Sequence, residues 1–157
     1  MSLKIKKNKF LIIGSNSFSG SHLINVLLDQ GHLVWGISRS KNINTVFLPY
    51  LWDNHKVELS HSRIRKLDFK SYDLNQHLNK IIELIDHVKP DFIVNFAAQG
   101  MVAESWLNPT HWYRTNVISQ VALHDELRKR KFIKKYVHVS TPEVYGSTDK
   151  GWIEENF

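Results

Sequence analysis

Cysteine is absent from the 157-residue chain, which excludes disulfides and thiolate metal sites and fits a reducing compartment. No apolar run approaches the ~20 residues needed to span a bilayer. The basic stretch from Met1 to Lys9 is not followed by the apolar region of a secretory signal. A cytoplasmic, membrane-free protein is the expectation. Glycine and proline are sparse, at seven and four, and neither clusters into a linker or low-complexity tract. The nine histidines never pair at i,i+4 or adopt another usual ligand spacing, so no metal site is expected. A Gly-x-Ser-x-Gly elbow is missing too, which argues against an α/β-hydrolase.

What remains is ordinary for one globular domain: 42% hydrophobic and 23% charged residues, with a net charge of +6. The positive charge gathers between Lys4 and Lys9 and in Arg128-Lys129-Arg130-Lys131 with Lys134 and Lys135. The second cluster falls at an expected helix C-terminus, where the helix dipole favours cations. A solvated basic face explains it without nucleic acid, and the same sign suits a ligand carrying phosphates.

Apolar runs and amphipathic segments alternate. Lys9–Ile13 reads as a buried strand, and Phe18–Gln30 as a helix with Leu23, Ile24, Leu27 and Leu28 on one face and Gly31 as its stop. His32–Ser38 is a second strand and Arg63–Leu67 a third. Leu74, Leu78, Ile81, Ile82, Ile85 and Val88 form a helical stripe ended by Pro90. Asp91–Phe96 is a fourth strand, Thr115–Lys131 a helix and Lys135–Val139 a fifth strand. Segment 40–61, with His55 and His61, reads mostly as loop, and Trp106, Trp112 and Tyr113 as packing residues. The pattern predicts an α/β, doubly wound parallel sheet of Rossmann type over residues 1–157, ending after about the fifth strand.

Between the first strand and helix lies Gly14-Ser15-Asn16-Ser17-Phe18-Ser19-Gly20. In a strand–turn–helix unit the first glycine makes the tight turn, the second admits a pyrophosphate and the third allows close helix–strand packing. Gly14 and Gly20 fill the outer roles, and the helix N-terminus aims free N–H groups at phosphates. Ser17 occupies the middle position, where its Cβ takes clearance but its hydroxyl can donate. Ser15, Asn16 and Ser19 add further donors. The second strand ends in Ser38-Arg39-Ser40, with no acid to hold a ribose diol. A guanidinium there attracts a 2′-phosphate, which favours NADP over NAD.

These features resemble the first part of an extended short-chain dehydrogenase/reductase of the nucleotide-sugar epimerase/dehydratase group. The loop is similar to that family's Gly-x-x-Gly-x-x-Gly, with Ser17 as a departure. Leu67-Asp68 resembles the acidic residue that meets adenine, and Asn95-Phe96-Ala97-Ala98-Gln99 the block beside the cofactor. Asn116 matches an asparagine in the following helix. Ser140-Thr141-Pro142-Glu143-Val144-Tyr145-Gly146 resembles the Ser-Thr-x-Glu-x-Tyr-Gly signature.

Within that family the signature points to 4,6-dehydratases acting on dTDP-glucose or GDP-mannose. The resemblance implies that Thr141 bonds the sugar C4 hydroxyl and that Glu143 takes the C5 proton. A C4 ketone acidifies that proton, so a nearby carboxylate can serve as base. Pro142 departs from the Asp or Ser that helps deliver a proton to the leaving hydroxyl, and Gly100-Met101 from the usual Ser-His. An epimerase or reductase of the same family is the alternative, and a non-catalytic NADP-sensing module the alternative of another class. The implied partners are a nucleotide-linked sugar and further copies of the chain.

The family's Tyr-x-x-x-Lys does not occur: Tyr50, Tyr72, Tyr113, Tyr136 and Tyr145 are followed four residues later by Asn54, Gln76, Val117, Ser140 and Asp149. The expectation is therefore an N-terminal cofactor-binding portion, without the sugar-binding C-terminal part and inactive alone.

Overall fold

The computed structural model describes residues 7–41, 44–52, 67–146 and 151. Five parallel strands form one sheet in the order β3-β2-β1-β4-β5. They are β1 (Lys9–Ile13), β2 (Leu33–Ser38), β3 (Asp68–Ser71), β4 (Phe92–Asn95) and β5 (Lys135–His138). Helices α1 (Phe18–Asp29), α2 (Leu78–Val88) and α5 (Ser119–Leu127) cover the faces, while α3 (Val102–Leu107) and α4 (Pro109–Tyr113) are short. The α/β Rossmann-type architecture agrees with the sequence pattern.

The two-residue period of a strand sorts β1 between two cores. Leu11 and Ile13 join Ile37, Ile81, Ile85, Ile93, Leu123 and Leu127 on the α2/α5 side. Ile12 joins Ile24, Leu27, Leu28 and Val34 on the α1 side. Both faces are thus covered, which is why β1 reads as an unbroken apolar run. Each fully buried Leu or Ile contributes ~1.5–3 kcal/mol, so these two clusters fix the helices to the sheet.

Several boundaries differ from the sequence expectation. The third strand begins at Asp68, and residues 63–66 lie outside the described set. Leu74 is buried but precedes α2 rather than belonging to it. Lys89, in the left-handed region at φ 50°, stops α2, consistent with the bias of a pre-proline residue away from right-handed helix. The loop after β2 contains short 3-10 turns at Thr45–Phe47 and Pro49–Leu51, while His55 and His61 lie outside the described residues. The single helix expected over Thr115–Lys131 is a π turn at Arg114–Ile118 running into α5. Trp106 and Tyr113 are exposed rather than packed, because α3 and α4 bury no residue against the sheet.

The basic cluster after α5 is extensively paired. Arg130 makes a two-pronged bond to Asp86, 2.7 Å on each arm, tying the end of α5 to α2. Arg128 and Lys129 pair with Asp125, Lys129 also with Glu126, and Lys134 with Asp91. Much of the local positive charge is therefore neutralised.

Candidate functional site

The chain leaves β1 for β2 on one side and reaches β4 on the other, so the loops at the carboxyl ends of β1 and β4 diverge. That divergence is the usual place for a ligand crevice in an open parallel sheet. A hollow of about 260 Å³ occupies it, bounded by Gly14, Asn16 and Ser17 after β1 and by Ser38, Arg39 and Ser40 after β2. Tyr72, Asp73, Leu74 and Asn75 close it after β3, with Phe96, Ala97, Ala98 and Gln99 after β4 and Thr115 from the π turn.

Gly14 makes the turn. Its φ is +82°, and a Cβ there would lie 2.9 Å from Ala97 N and 2.9 Å from the Phe96 carbonyl carbon. The Gly14 and Ser15 N–H groups both donate to the Ile37 carbonyl, at 2.8 and 3.0 Å, which locks the loop to β2. Ser17 has ordinary extended backbone, φ −69° and ψ 159°, so its position needs no glycine conformation. Its Oγ accepts from the Gly20 N–H at 3.0 Å and caps α1. Ser17 therefore satisfies a helix-end donor that would otherwise be free, and its hydroxyl hydrogen remains to donate. Gly20 packs against the Gly14 carbonyl with no room for a Cβ. The Asn16 amide donates to the Ser40 carbonyl at 2.8 Å, joining this loop to the Ser38-Arg39-Ser40 corner.

Among the described lining residues Arg39 is the one cation and Asp73 the one anion. Asp73 is already partly engaged, since its Oδ1 accepts from the Asn75 N–H at 2.7 Å. The first turn of α1 carries no acid to oppose an anionic ligand.

The floor is held by side-chain amides. Asn95, fully buried at the end of β4, accepts from the Ala97 N–H at 2.9 Å. Gln120 of α5 donates to the Ala97 carbonyl at 2.9 Å. Asn116 clamps Gln99 in both directions, accepting from its N–H at 2.7 Å and donating to its carbonyl at 2.9 Å. Asn75 donates to Thr115 at 2.9 Å and accepts from Ser119 at 2.7 Å, closing the wall between β3 and the π turn.

The structure thus brings Gly14, Asn16, Ser17, Ser38, Arg39, Ser40, Phe96, Ala97, Ala98 and Gln99 to one hollow. Ser15 is buried beneath the loop against Gly36, and Phe18 is exposed on the outer side of α1. Ser19 lies in the first turn of α1, outside the lining, and Asn116 acts from behind Gln99. Leu67 and Asp68 are not brought in. They precede or begin β3, opposite Trp35, whereas the hollow lies beyond that strand's other end. The acidic residue at the hollow is Asp73, which the sequence pattern misses because it ends the third strand at Leu67, four residues before the observed end at Ser71. Thr141 is exposed just past β5, and Glu143 is exposed on the 3-10 turn Pro142–Tyr145 that follows; neither lines the hollow.

Strand order and crevice define a Rossmann-type α/β domain. A family model described as GDP-mannose 4,6 dehydratase matches residues 11–157, and the chain belongs to that family. It is 32% identical over 146 residues to GDP-mannose 4,6 dehydratase 1 of Arabidopsis thaliana, covering 88% of this chain and 38% of that protein. It is 30% identical to GDP-mannose 4,6-dehydratase of Vibrio cholerae, covering 90% and 37%. Among solved structures, the UDP-Glc/GlcNAc 4-epimerase of Campylobacter jejuni superposes with a TM-score of 0.75 at 24% identity, covering 94% of this chain and 41% of that one. UDP-glucose 4-epimerase of Brucella ovis, solved in complex with NAD, gives 0.73 at 23%, covering 95% and 40%. The chain spans about two fifths of the length of these relatives.

Proposed function

We propose that the chain is the cofactor-binding portion of an NAD(P)-dependent nucleotide-sugar 4,6-dehydratase. The observation that carries this reading is the hollow at the β1/β4 divergence, with a Gly14 turn that any side chain would obstruct and Arg39 as its cation. Its ~260 Å³ falls just below the range of roughly 300–1,000 Å³ for ligand pockets, so it suits the pyrophosphate and adjoining ribose of a dinucleotide. Ser17, Asn16 and the N-terminus of α1 would hold the pyrophosphate. Arg39, flanked by Ser38 and Ser40, would take the 2′-phosphate of NADP, and Asp73 would accept from the adenine amino group. A nicotinamide held there would supply the redox chemistry of a 4,6-dehydratase, oxidation of the sugar at C4 and a hydride to restore after water is lost across C5–C6.

Thr141 and Glu143 are the residues of this chain assigned to the sugar, as hydroxyl partner and C5 base. Neither has a partner for the C4 hydroxyl proton in a Tyr-x-x-x-Lys, so these 157 residues alone are expected to give no keto-sugar. Pro142 has no side-chain proton to deliver to a leaving hydroxyl, and that favours the second reading, an epimerase or reductase of the same family.

Cofactor titration of the parent and Arg39→Ala tests the proposal. Removing the guanidinium should weaken NADP by ~1–3 kcal/mol, the range for hydrogen bonds to charged groups, and leave NAD nearly unchanged. Equal losses for both would make Arg39 structural and end the NADP assignment. Binding of neither by the parent would end the dinucleotide reading.

A further inference from the structure

The bonds that fix the floor of the hollow have only one consistent direction. The Ala97 N–H is a donor, so the side-chain atom of Asn95 facing it at 2.9 Å is Oδ1. Asn95 Nδ2 then points away, donating to Gln120 Oε1 at 2.7 Å and to the Tyr136 hydroxyl at 2.9 Å. With Oε1 so occupied, Gln120 turns Nε2 to the Ala97 carbonyl at 2.9 Å. Both polar groups of Ala97 are thus read by one closed set of amides. The Phe96 N–H goes to the Ile13 carbonyl at 2.7 Å, and both groups of Gln99 go to Asn116. Among the described residues this leaves the Ala98 N–H and carbonyl as the unbonded main-chain groups of the floor segment 97–99.

Gln120 is 5% exposed and Asn95 is fully buried, so water does not replace a lost partner for either. We propose that Gln120 is a positioning residue: it orients the Ala97 peptide and thereby presents Ala98 to the ligand. This rests on the reading of the hollow as a dinucleotide site. The titratable groups joined to this network among the described residues are Tyr136 and His138 of β5 and His124 of α5, which meet at the Tyr136 hydroxyl at 3.4 Å from His138 and 2.9 Å from His124.

Gln120→Glu gives a readout that a space-filling role would not move. While protonated, the carboxyl group that this substitution introduces reproduces the glutamine pattern, with O–H donating to the Ala97 carbonyl and C=O accepting from Asn95. Once ionised, it has no donor and sets a negative oxygen against the Ala97 carbonyl. The cofactor dissociation constants of parent, Gln120→Glu and Gln120→Met are to be measured from about pH 5 to about pH 8, a span that brackets carboxyl titration raised by burial. We expect Gln120→Glu to match the parent at the acid end and to bind about tenfold more weakly at the alkaline end, with Gln120→Met weak throughout. A ratio of Gln120→Glu to parent that does not change with pH, or parental affinity in Gln120→Met, overturns the proposal. Should the parent bind no dinucleotide, the reading of the hollow fails separately, and amide exchange of Ala97 and Gln99 decides the positioning role: about tenfold faster exchange in Gln120→Met supports it, and equal exchange overturns it.

Discussion

Gly14 and Gly31 hold nearly the same positive φ, +82° and +79°, in opposite surroundings. A Cβ at Gly31 would meet nothing within 4 Å, whereas at Gly14 it would press on Ala97 N and the Phe96 carbonyl carbon at 2.9 Å and on Phe96 Cβ at 3.1 Å. Substituting alanine at each position separates two costs that usually come together. The left-handed conformation alone costs an L-residue ~1–2 kcal/mol, and Gly31→Ala should show that and little more. Gly14→Ala adds contacts well inside the roughly 3.5–4.0 Å separation of unstrained carbon atoms, and they fall mainly on backbone that cannot swing aside. Overpacking of this kind costs a further ~1–3 kcal/mol, so Gly14→Ala should lose ~2–5 kcal/mol. Urea titration reads the difference directly. With a slope of about 2 kcal/mol per molar, a gap of about 2 kcal/mol between the variants separates their midpoints by about 1 M at equal slope. Relief at Gly14 also displaces Phe96 and Ala97, so the folded variant should lose cofactor affinity that Gly31→Ala retains. Coincident midpoints for the two variants would refute the reasoning, because the clash would then have been absorbed without moving β1 against β4.

The β5 side of the sheet carries two more expected outcomes. Burial, and secondly the neighbouring His138, hold the His124 imidazole below its ordinary value. The unfolded chain therefore takes up this proton first, and the stability that neutral His124 supports should decline as pH falls below about 6.5. Denaturation midpoints across that interval should fall more steeply for the parent than for His124→Gln, and parallel profiles would remove His124 as the cause. β5 pairs with β4 on one side, and among the described residues no strand pairs with its other side; Val137 within it and Val139 just past it are 39% and 41% exposed. Such an edge recruits further strands, so sedimentation should show concentration-dependent association that Val137→Lys relieves; a monomeric parent at its highest soluble concentration would show the edge to be protected.

How much of each element can be read in the sequence depends on how completely it is buried. β1 and β4 are central strands flanked on both faces, and α2 buries Ile81, Ile85 and Val88 at i, i+4 and i+7, so their periodicity is plain. β3 lies at the edge of the sheet, and all four of its residues are only half-buried. Asp68-Phe69-Lys70-Ser71 therefore lacks the apolar run that marks the central strands, and the pattern ends the strand at Leu67, four residues before Ser71. That slip changes the chemistry, since the acid beyond the end of a strand at 63–67 is Asp68, and the acid beyond the end of Asp68–Ser71 is Asp73. The amide network is harder still. Along α5 the inward positions are Ser119, Gln120, Leu123 and Leu127, so half of the buried face is polar and the stripe breaks where it meets Asn95. A glutamine is mostly an exposed residue, and taken alone Gln120 gives no sign of burial. Its spacing gives the only available signal, at i−3 and i−7 from the two core leucines. A polar residue standing in an apolar stripe must find partners or lose stability. Here the partners are the Ala97 carbonyl and the Asn95 amide, so the break in the stripe marks the place where α5 meets the floor of the hollow.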